Sequence, residues 1–371
     1  MDKKINISLV GGQPFPVYAQ ILDNQPEIAI LVCSDQTEKD AMRIKAVLNH
    51  NLPQTGVSLL KISAEDNALA NQYIKAQSEI FSKPGHEITI NIAGGTKPWS
   101  ILFAKHFAGK AKLVFIDQNN IIWDMDTLEY HELSPKDVSI EDLAALHGVE
   151  FLNKTNLTFY TDQDRALIPR IIEARRWNSG AFQALTSPTG QQRPEAERSG
   201  IKWLDDQTCR LTLFNPQKGA KTFTLQSPHA RSIVPRFAWF ELQVALMLSQ
   251  WPVTKQVWLN SEVALPNGVE ALNEIDVIVE TTIGKFLFVE CKTSVYNPTD
   301  IDKFNDVVKK TGGLGAKRIF MTDKPMSGTI AGKCDHAKIP HFAMRQITSN
   351  RANQLNFFAA LDAYMSNINE R

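Results

Sequence analysis

NEIDVIVETTIGKFLFVECK, residues 273–292, is the stretch on which the reading of this chain turns. Ile275 to Glu280 alternates polar and apolar residues and is rich in β-branched types, as is Lys285 to Lys292, which predicts two strands joined by a short turn. Side chains alternate faces along a strand, so Glu290 and Lys292 point the same way and Cys291 lies on the other side with Val289 and Leu287. A loop of Thr282-Ile283-Gly284, with Gly284 left-handed, sets Asp276 opposite Glu290 on that face. A two-residue loop would send Asp276 to the other face. Asp276 and Glu290 together can hold a divalent cation, and hard oxygen ligands favour Mg²⁺ or Mn²⁺. Lys292 would orient a water and stabilise charge developing on a phosphoryl group. A solvated edge strand accounts for the same Glu-x-Lys triplet, which is common by chance.

Upstream, RFAWFELQVALMLSQW (236–251) repeats Phe237, Phe240, Val244, Ala245 and Leu248 at helical spacing, with Glu241 on that stripe. A carboxylate there needs a partner, whether a cation or a lysine or water beyond the core. Helix with Glu241, strand with Asp276, then Glu290-Cys291-Lys292 on the next strand: this order resembles the PD-(D/E)xK nuclease superfamily over roughly the last 140 residues. Ile275 stands where the superfamily's name motif has proline. The resemblance implies Asp276 and Glu290 as metal ligands, the Cys291 backbone carbonyl as a further ligand, Lys292 as the catalytic lysine and Glu241 as an accessory acid.

Forty Lys plus Arg balance forty Asp plus Glu, so no global field draws nucleic acid and any such contact must come from a local groove. Four scattered cysteines form neither a C-x-x-C zinc pair nor a secreted-domain framework, which points to a reducing compartment. No run of eighteen apolar residues and no signal-peptide core is present; a soluble, cytoplasmic protein is expected.

The amino-terminal half alternates strands at Ile5 to Val10, Glu27 to Val32, Val57 to Ile62, Glu87 to Ile92 and Lys112 to Asp117 with helical stretches, which predicts a doubly wound parallel sheet. Ile121 to Met125 adds a further strand. Ligands bind such sheets beyond the carboxyl ends of the strands, and three loops there are polar: Gly11-Gly12-Gln13-Pro14, Cys33 to Thr37, and Asn91 to Lys97. In the last, Gly94-Gly95 lets backbone approach a ligand, Thr96 can donate to phosphate and Lys97 adds positive charge. A tight strand-to-helix turn capped by Thr96 explains the same residues equally well.

With the downstream pattern, this half resembles the CARF domain, the Rossmann-like sensor of cyclic oligoadenylates in type III CRISPR systems. The Asn91 to Lys97 run and the loop with Ser34 and Thr37 carry the resemblance. The domain order is similar to the CRISPR-activated DNases and RNases, ancillary effectors that join a CARF sensor to such a nuclease. It implies a homodimer clasping one symmetric ligand, most often cyclic tetra-adenylate, in a pocket lined by Ser34, Thr37, Gly94, Gly95, Thr96 and Lys97. Asn91 and the less distinctive Gly12 and Gln13 belong to the same pocket.

The expected architecture is α/β: a Rossmann-like doubly wound CARF domain (1–150), a small connector (151–225) and a restriction-endonuclease-like α/β nuclease domain (226–371). Within the connector, Asp164 to Leu185 reads as a helix, Thr186 to Gly200 as a loop or hinge, and Cys209 to Phe214 and Lys221 to Leu225 as short strands. Arg170, Arg175 and Arg176 either touch substrate phosphates or form a solvated helix face. The expected activity is metal-dependent cleavage of single-stranded DNA or RNA, with duplex nicking a further possibility, switched by the cyclic nucleotide in antiviral defence. Two alternatives compete: a ligand-responsive regulatory protein with an idle nuclease core, and a ligand-independent restriction enzyme.

Overall fold

In the computed structural model, the described residues are 3–82, 85–117, 121–132, 138–187, 198–264, 273–293, 297–313 and 316–366. Short aliphatic runs, each closed by a polar loop and followed by an amphipathic helix, produce the alternation of the first half. It runs β1 (Lys4–Leu9), α1 (Pro14–Asn24), β2 (Ile28–Cys33), α2 (Glu38–Asn51), β3 (Gly56–Lys61), α3 (Asn67–Phe81), β4 (Glu87–Asn91), α4 (Lys97–Phe107), β5 (Lys112–Ile116), β6 (Ile121–Asp124), β7 (Tyr130–Glu132) and α5 (Ile140–Leu146). The strands lie in the order β3-β2-β1-β4-β5-β6-β7, the first five parallel and the last two antiparallel additions. Strand order reverses between β1 and β4, so the loops after those two strands face each other at the switch point.

The second half continues with β8 (Glu150–Asn156), α6 (Asp162–Trp177), α7 (Ser179–Thr186), β9 (Gly200–Trp203), β10 (Thr208–Asn215), β11 (Gly219–Gln226), α8 (Ala230–Ile233), α9 (Ala238–Leu248), β12 (Thr254–Ala264), β13 (Asn273–Thr281), β14 (Phe286–Lys292), α10 (Thr299–Gly312), β15 (Lys317–Thr322), α11 (Gly328–His336), β16 (His341–Ala343), α12 (Met344–Ile347) and α13 (Arg351–Ser366). Its main sheet has the order β16-β15-β14-β13-β12-β8.

The stretch expected as a connector is built into this half. β8 pairs with β12 as the edge strand of the main sheet, and the three-stranded sheet β11-β10-β9 packs through α6 and α7. Leu157, Ile168, Phe182 and Leu211 share one core with Trp239, Val277 and Leu287. The single helix read at Asp164 to Leu185 is two helices broken at Asn178. The Asn178 side chain accepts from Ala181 N–H at 3.0 Å, capping α7, and donates to Phe214 O at 2.6 Å, so a tertiary bond rewards the break. Of the loop read at Thr186 to Gly200, residues 188–197 lie outside the described residues.

The two faces of the main sheet meet different partners. Val277, Val279, Leu287, Val289 and Cys291 pack with α6, α9 and α13, through residues such as Ile171, Val244 and Leu361. Ile278, Phe288 and Phe320 pack with Ile301 and Phe304 of α10 and, in the same cluster, with Tyr18, Ile44 and Leu146 of the first half. One hydrophobic core therefore crosses from the amino-terminal helices to the carboxy-terminal sheet, which ties the two halves together by burial rather than by a tether.

Candidate functional site

The hairpin that sets the site closes through Thr282-Ile283-Gly284. Gly284 takes φ 68° and its N–H donates to Thr281 O at 3.2 Å, as a three-residue loop requires. Register then runs from Glu280↔Phe286 to Val277↔Val289, which leaves Asp276 opposite Glu290 at the next step. There the ladder opens. Asp276 turns its carboxylate inward and Oδ2 accepts from Cys291 N–H at 2.7 Å. Glu290 and Lys292, alternate residues of β14, meet at 2.7 Å between Oε1 and Nζ. Asp276 and Glu290 are both buried, 8% and 9% exposed, in a place where an unpaired carboxylate is costly.

Electrostatics shows how crowded this corner is. Burial, then Glu290 and Glu241, push the Asp276 carboxyl well above the usual carboxylate range. Burial likewise raises Glu290, with Lys292 opposing and Asp300 and Glu274 adding to the rise. Glu241, in the first turn of α9, is lifted to about 7 by burial and by Glu274 and Glu290, again with Lys292 opposing. Burial alone would lower the Lys292 ammonium, but Asp276 and Glu290 hold it above its ordinary value, so it is a firm cation and hydrogen-bond donor. Cys291 is buried and its thiol is pushed up by burial and by the surrounding carboxylates, which leaves sulfur neutral and unsuited as a ligand.

The structure thus brings Asp276, Glu290, Lys292 and Glu241 together, and it adds Glu274. That residue precedes Asp276 by two along β13, and the same spacing argument that paired Glu290 with Lys292 would have found it. Among the described residues no group of three or more His, Cys, Asp or Glu is arranged as a ready metal cage. Two carboxylates still suit Mg²⁺, which is commonly held by one or two protein carboxylates with water and substrate phosphate completing the shell. Burial first, and neighbouring carboxylates after it, raise all three acids, and a divalent cation would offset both effects, so it fits the donor set.

At the amino-terminal switch point the loops after β1 and β4 touch backbone to backbone. A Cβ on Gly94 would lie 2.0 Å from Leu9 O and 2.9 Å from Gly11 N, so only glycine fits. Gly95 has φ 70° and sits against Leu9 and Trp99. Thr96 does cap α4, accepting from Trp99 N–H at 3.4 Å, and Lys97 is exposed at its first position. Ser34 N–H donates to Thr37 Oγ1 at 3.0 Å, which folds the β2 loop toward α2. Asn91 is fully buried; its Oδ1 accepts from Ala93 N–H at 3.0 Å while Nδ2 has no partner among the described residues. Gln13 Nε2 donates to Gly12 O at 3.0 Å.

A doubly wound domain with glycine-lined strand-end loops, fused through a shared core to a sheet carrying clustered acids and a lysine, is the class that fold and site define. Residues 5–142 match the Card1 CARF domain family, and this chain carries a CARF domain at its amino terminus. Over 98% of its length the fold is that of Can2 from Sulfobacillus thermosulfidooxidans, solved in complex with cyclic tetra-adenylate, at TM-score 0.70 and 17% identity, with 99% of that chain covered. Protein VC1899 from Vibrio cholerae is similar at TM-score 0.72 and 15% identity, over 98% of this chain and 99% of that one. A type III CRISPR defence DNA nuclease activated by cyclic oligoadenylate is similar at TM-score 0.56 and 15% identity, over 88% of this chain and 46% of that one. Comparison with curated protein sequences gave no match. No helix among the described residues is long and apolar enough to cross a membrane.

Proposed function

We propose that this chain is a nuclease switched on by a cyclic oligoadenylate, cyclic tetra-adenylate above all, acting in type III CRISPR defence. The observation that carries the reading is the convergence of Asp276, Glu290 and Lys292 at one set of strand ends, in a chain that begins with a CARF domain. Asp276 and Glu290 would hold Mg²⁺ or Mn²⁺ with the Cys291 carbonyl, and Glu241 would serve as accessory acid; such a cation supplies charge neutralisation at the phosphate and a more acidic water. Lys292, held as an ammonium, donates to the attacking water or a phosphoryl oxygen and is no general base. Water oxygen attacks phosphorus, the opposite phosphorus–oxygen bond breaks, and the leaving oxygen takes a proton. Single-stranded DNA or RNA is the substrate class this reading assigns.

The sensor pocket of this reading is formed by Gly12, Gln13, Ser34, Thr37, Asn91, Gly94, Gly95, Thr96 and Lys97. The unpartnered Asn91 amide is a buried donor that a nucleotide would satisfy. A route from pocket to site lies within one protomer. Gly313, just beyond α10, has φ 75°, and a Cβ there would lie 2.7 Å from His147 Nε2 and 3.3 Å from Gln13 Oε1. At its other end α10 carries Asp300, whose charge reaches Glu290. A 14-residue helix spans about 21 Å, so α10 would link the β1 loop to the acid cluster as one rigid rod. Exposed Leu69, Tyr73 and Ile101 on α3 and α4 would be covered in the homodimer that a symmetric ligand implies.

The test is cleavage of labelled single-stranded RNA and DNA with Mn²⁺ or Mg²⁺, with and without cyclic tetra-adenylate. Turnover only with both metal and ligand is expected. Equal rates without ligand would remove the switch, and ligand-free cutting of duplex DNA at a fixed sequence would indicate a restriction enzyme instead.

A further inference from the structure

Beyond the acid cluster, the carboxy-terminal half holds a small pocket whose lining includes Arg175, Arg176, Gln243, Asp323, Arg345 and Thr348. Three guanidinium groups and one carboxylate line it, a local excess of two positive charges in a chain whose charges balance overall. Asp323 is buried and serves as the brace: Arg175 Nη1 donates to it at 2.6 Å, and Arg345 donates through Nε at 3.1 Å and Nη2 at 3.0 Å. Arg175 also lies over the Trp239 ring at 5.2 Å, so its fork is held from two sides. Arg176 is exposed and has no ion pair or hydrogen bond among the described residues.

The position of this pocket gives it meaning. Lys292 is in register with Thr322 on the neighbouring parallel strand, and Asp323 is the next residue. Adjacent strands lie about 4.8 Å apart with a rise of about 3.3 Å per residue, so the Asp323 backbone lies one step past Lys292 at the same strand ends, while alternation turns its side chain with Met321 to the α6 and α9 face of the sheet. Gln243 shares α9 with Glu241, so one helix serves both places.

We propose that this pocket grips the phosphodiester backbone of the strand being cut, next to the scissile phosphate, with Arg176 and Arg345 as positioning residues and Arg175 as their fixed support. Planar guanidinium forks match phosphate oxygens, and backbone phosphates are the same along any strand, so the grip is independent of sequence. The inference rests on the nuclease reading for its substrate but on separate residues for its evidence.

Arg176→Ala is the clean probe, because Arg176 holds nothing in place; Arg345→Ala and Arg176→Lys accompany it. With a labelled single strand, cyclic tetra-adenylate and Mn²⁺, each alanine variant should raise KM by about tenfold and leave kcat within about threefold. The slope of log KM against log salt should fall by about 0.7 per residue, as loss of one phosphate contact demands. Arg176→Lys should keep that slope and recover part of the affinity. Binding of the same strand to Asp276→Asn protein, with and without Arg176→Ala, reads the pocket even if the chain cuts nothing. Weaker binding there with no cleavage by the unmodified protein would sink the nuclease reading and leave the pocket standing. Unchanged KM, slope and binding in Arg176→Ala would overturn the pocket, as would loss of kcat alone.

Discussion

The switch point of the amino-terminal sheet and the strand ends of the carboxy-terminal sheet sit at comparable places in their folds, yet they are built from opposite materials. The first is made of backbone. Gly94 and Gly95 let the loops after β1 and β4 touch where a side chain would crowd the backbone, and the polar side chains of those two loops are neutral apart from Lys97. The second is made of charge, with Glu241, Glu274, Asp276 and Glu290 crowded round Lys292. A backbone cradle suits a ligand that brings its own negative charge and must leave again. A buried acid cluster carries a standing cost to stability, which a bound cation would relieve.

That contrast can be broken most sharply at Lys292. Lys292→Ala should lower ligand-activated cleavage by at least about a hundredfold while leaving cyclic tetra-adenylate binding unchanged, measured by gel cleavage and calorimetry on the same preparation. Full cleavage by that variant would end the catalytic assignment.

Glu241 gives a stability effect with a defined sign. Its carboxyl is raised from an ordinary 4.5 to about 7, so in metal-free protein the neutral acid is fully tolerated below pH 4.5 and stability is lost as pH rises through 7. Glu241→Gln should therefore match the unmodified protein at pH 4 and exceed it by up to about 3 kcal/mol at pH 8, read from denaturant unfolding in a chelator. Saturating Mn²⁺ should narrow the gap, since a cation relieves the same crowding.

At the other region the probe is steric. Gly94→Ala places a Cβ 2.0 Å from Leu9 O, and the required backbone shift should cost about 1–3 kcal/mol and abolish the response to cyclic tetra-adenylate while metal binding at the acid cluster is retained. Unimpaired activation would show that the close approach of the two loops is not needed by the ligand. The smallest expected effect tests the link between regions. Gly313→Ala forces a left-handed residue against His147 and should cost about 1 kcal/mol, showing as activation reduced severalfold with ligand affinity nearly unchanged.

Much of both regions was legible because local rules fix it. The Thr282-Ile283-Gly284 loop and strict alternation place Glu290 with Lys292 and set Asp276 opposite, and the strand–helix alternation of residues 4–116 leaves few topologies besides a doubly wound sheet. Glu274, two residues before Asp276 on the same strand, follows from the same alternation. Arg170, Arg175 and Arg176 could not be told apart from a helix pattern. The structure separates them, since Arg170 donates to Thr224 O at 3.2 Å, Arg175 is braced on Asp323 across 148 positions of chain, and Arg176 stands open.

Sequence alone determined the hairpin, its register and the glycine-rich strand ends, because turn length and side-chain alternation act between near neighbours. Tertiary structure alone decided that the 151–225 stretch completes the carboxy-terminal sheet and core, that Asp276 spends one oxygen on the Cys291 amide, and that one core runs through both halves. Those outcomes depend on pairings between distant segments, where burial of complementary apolar surface selects the partner and leaves no short-range mark in the chain.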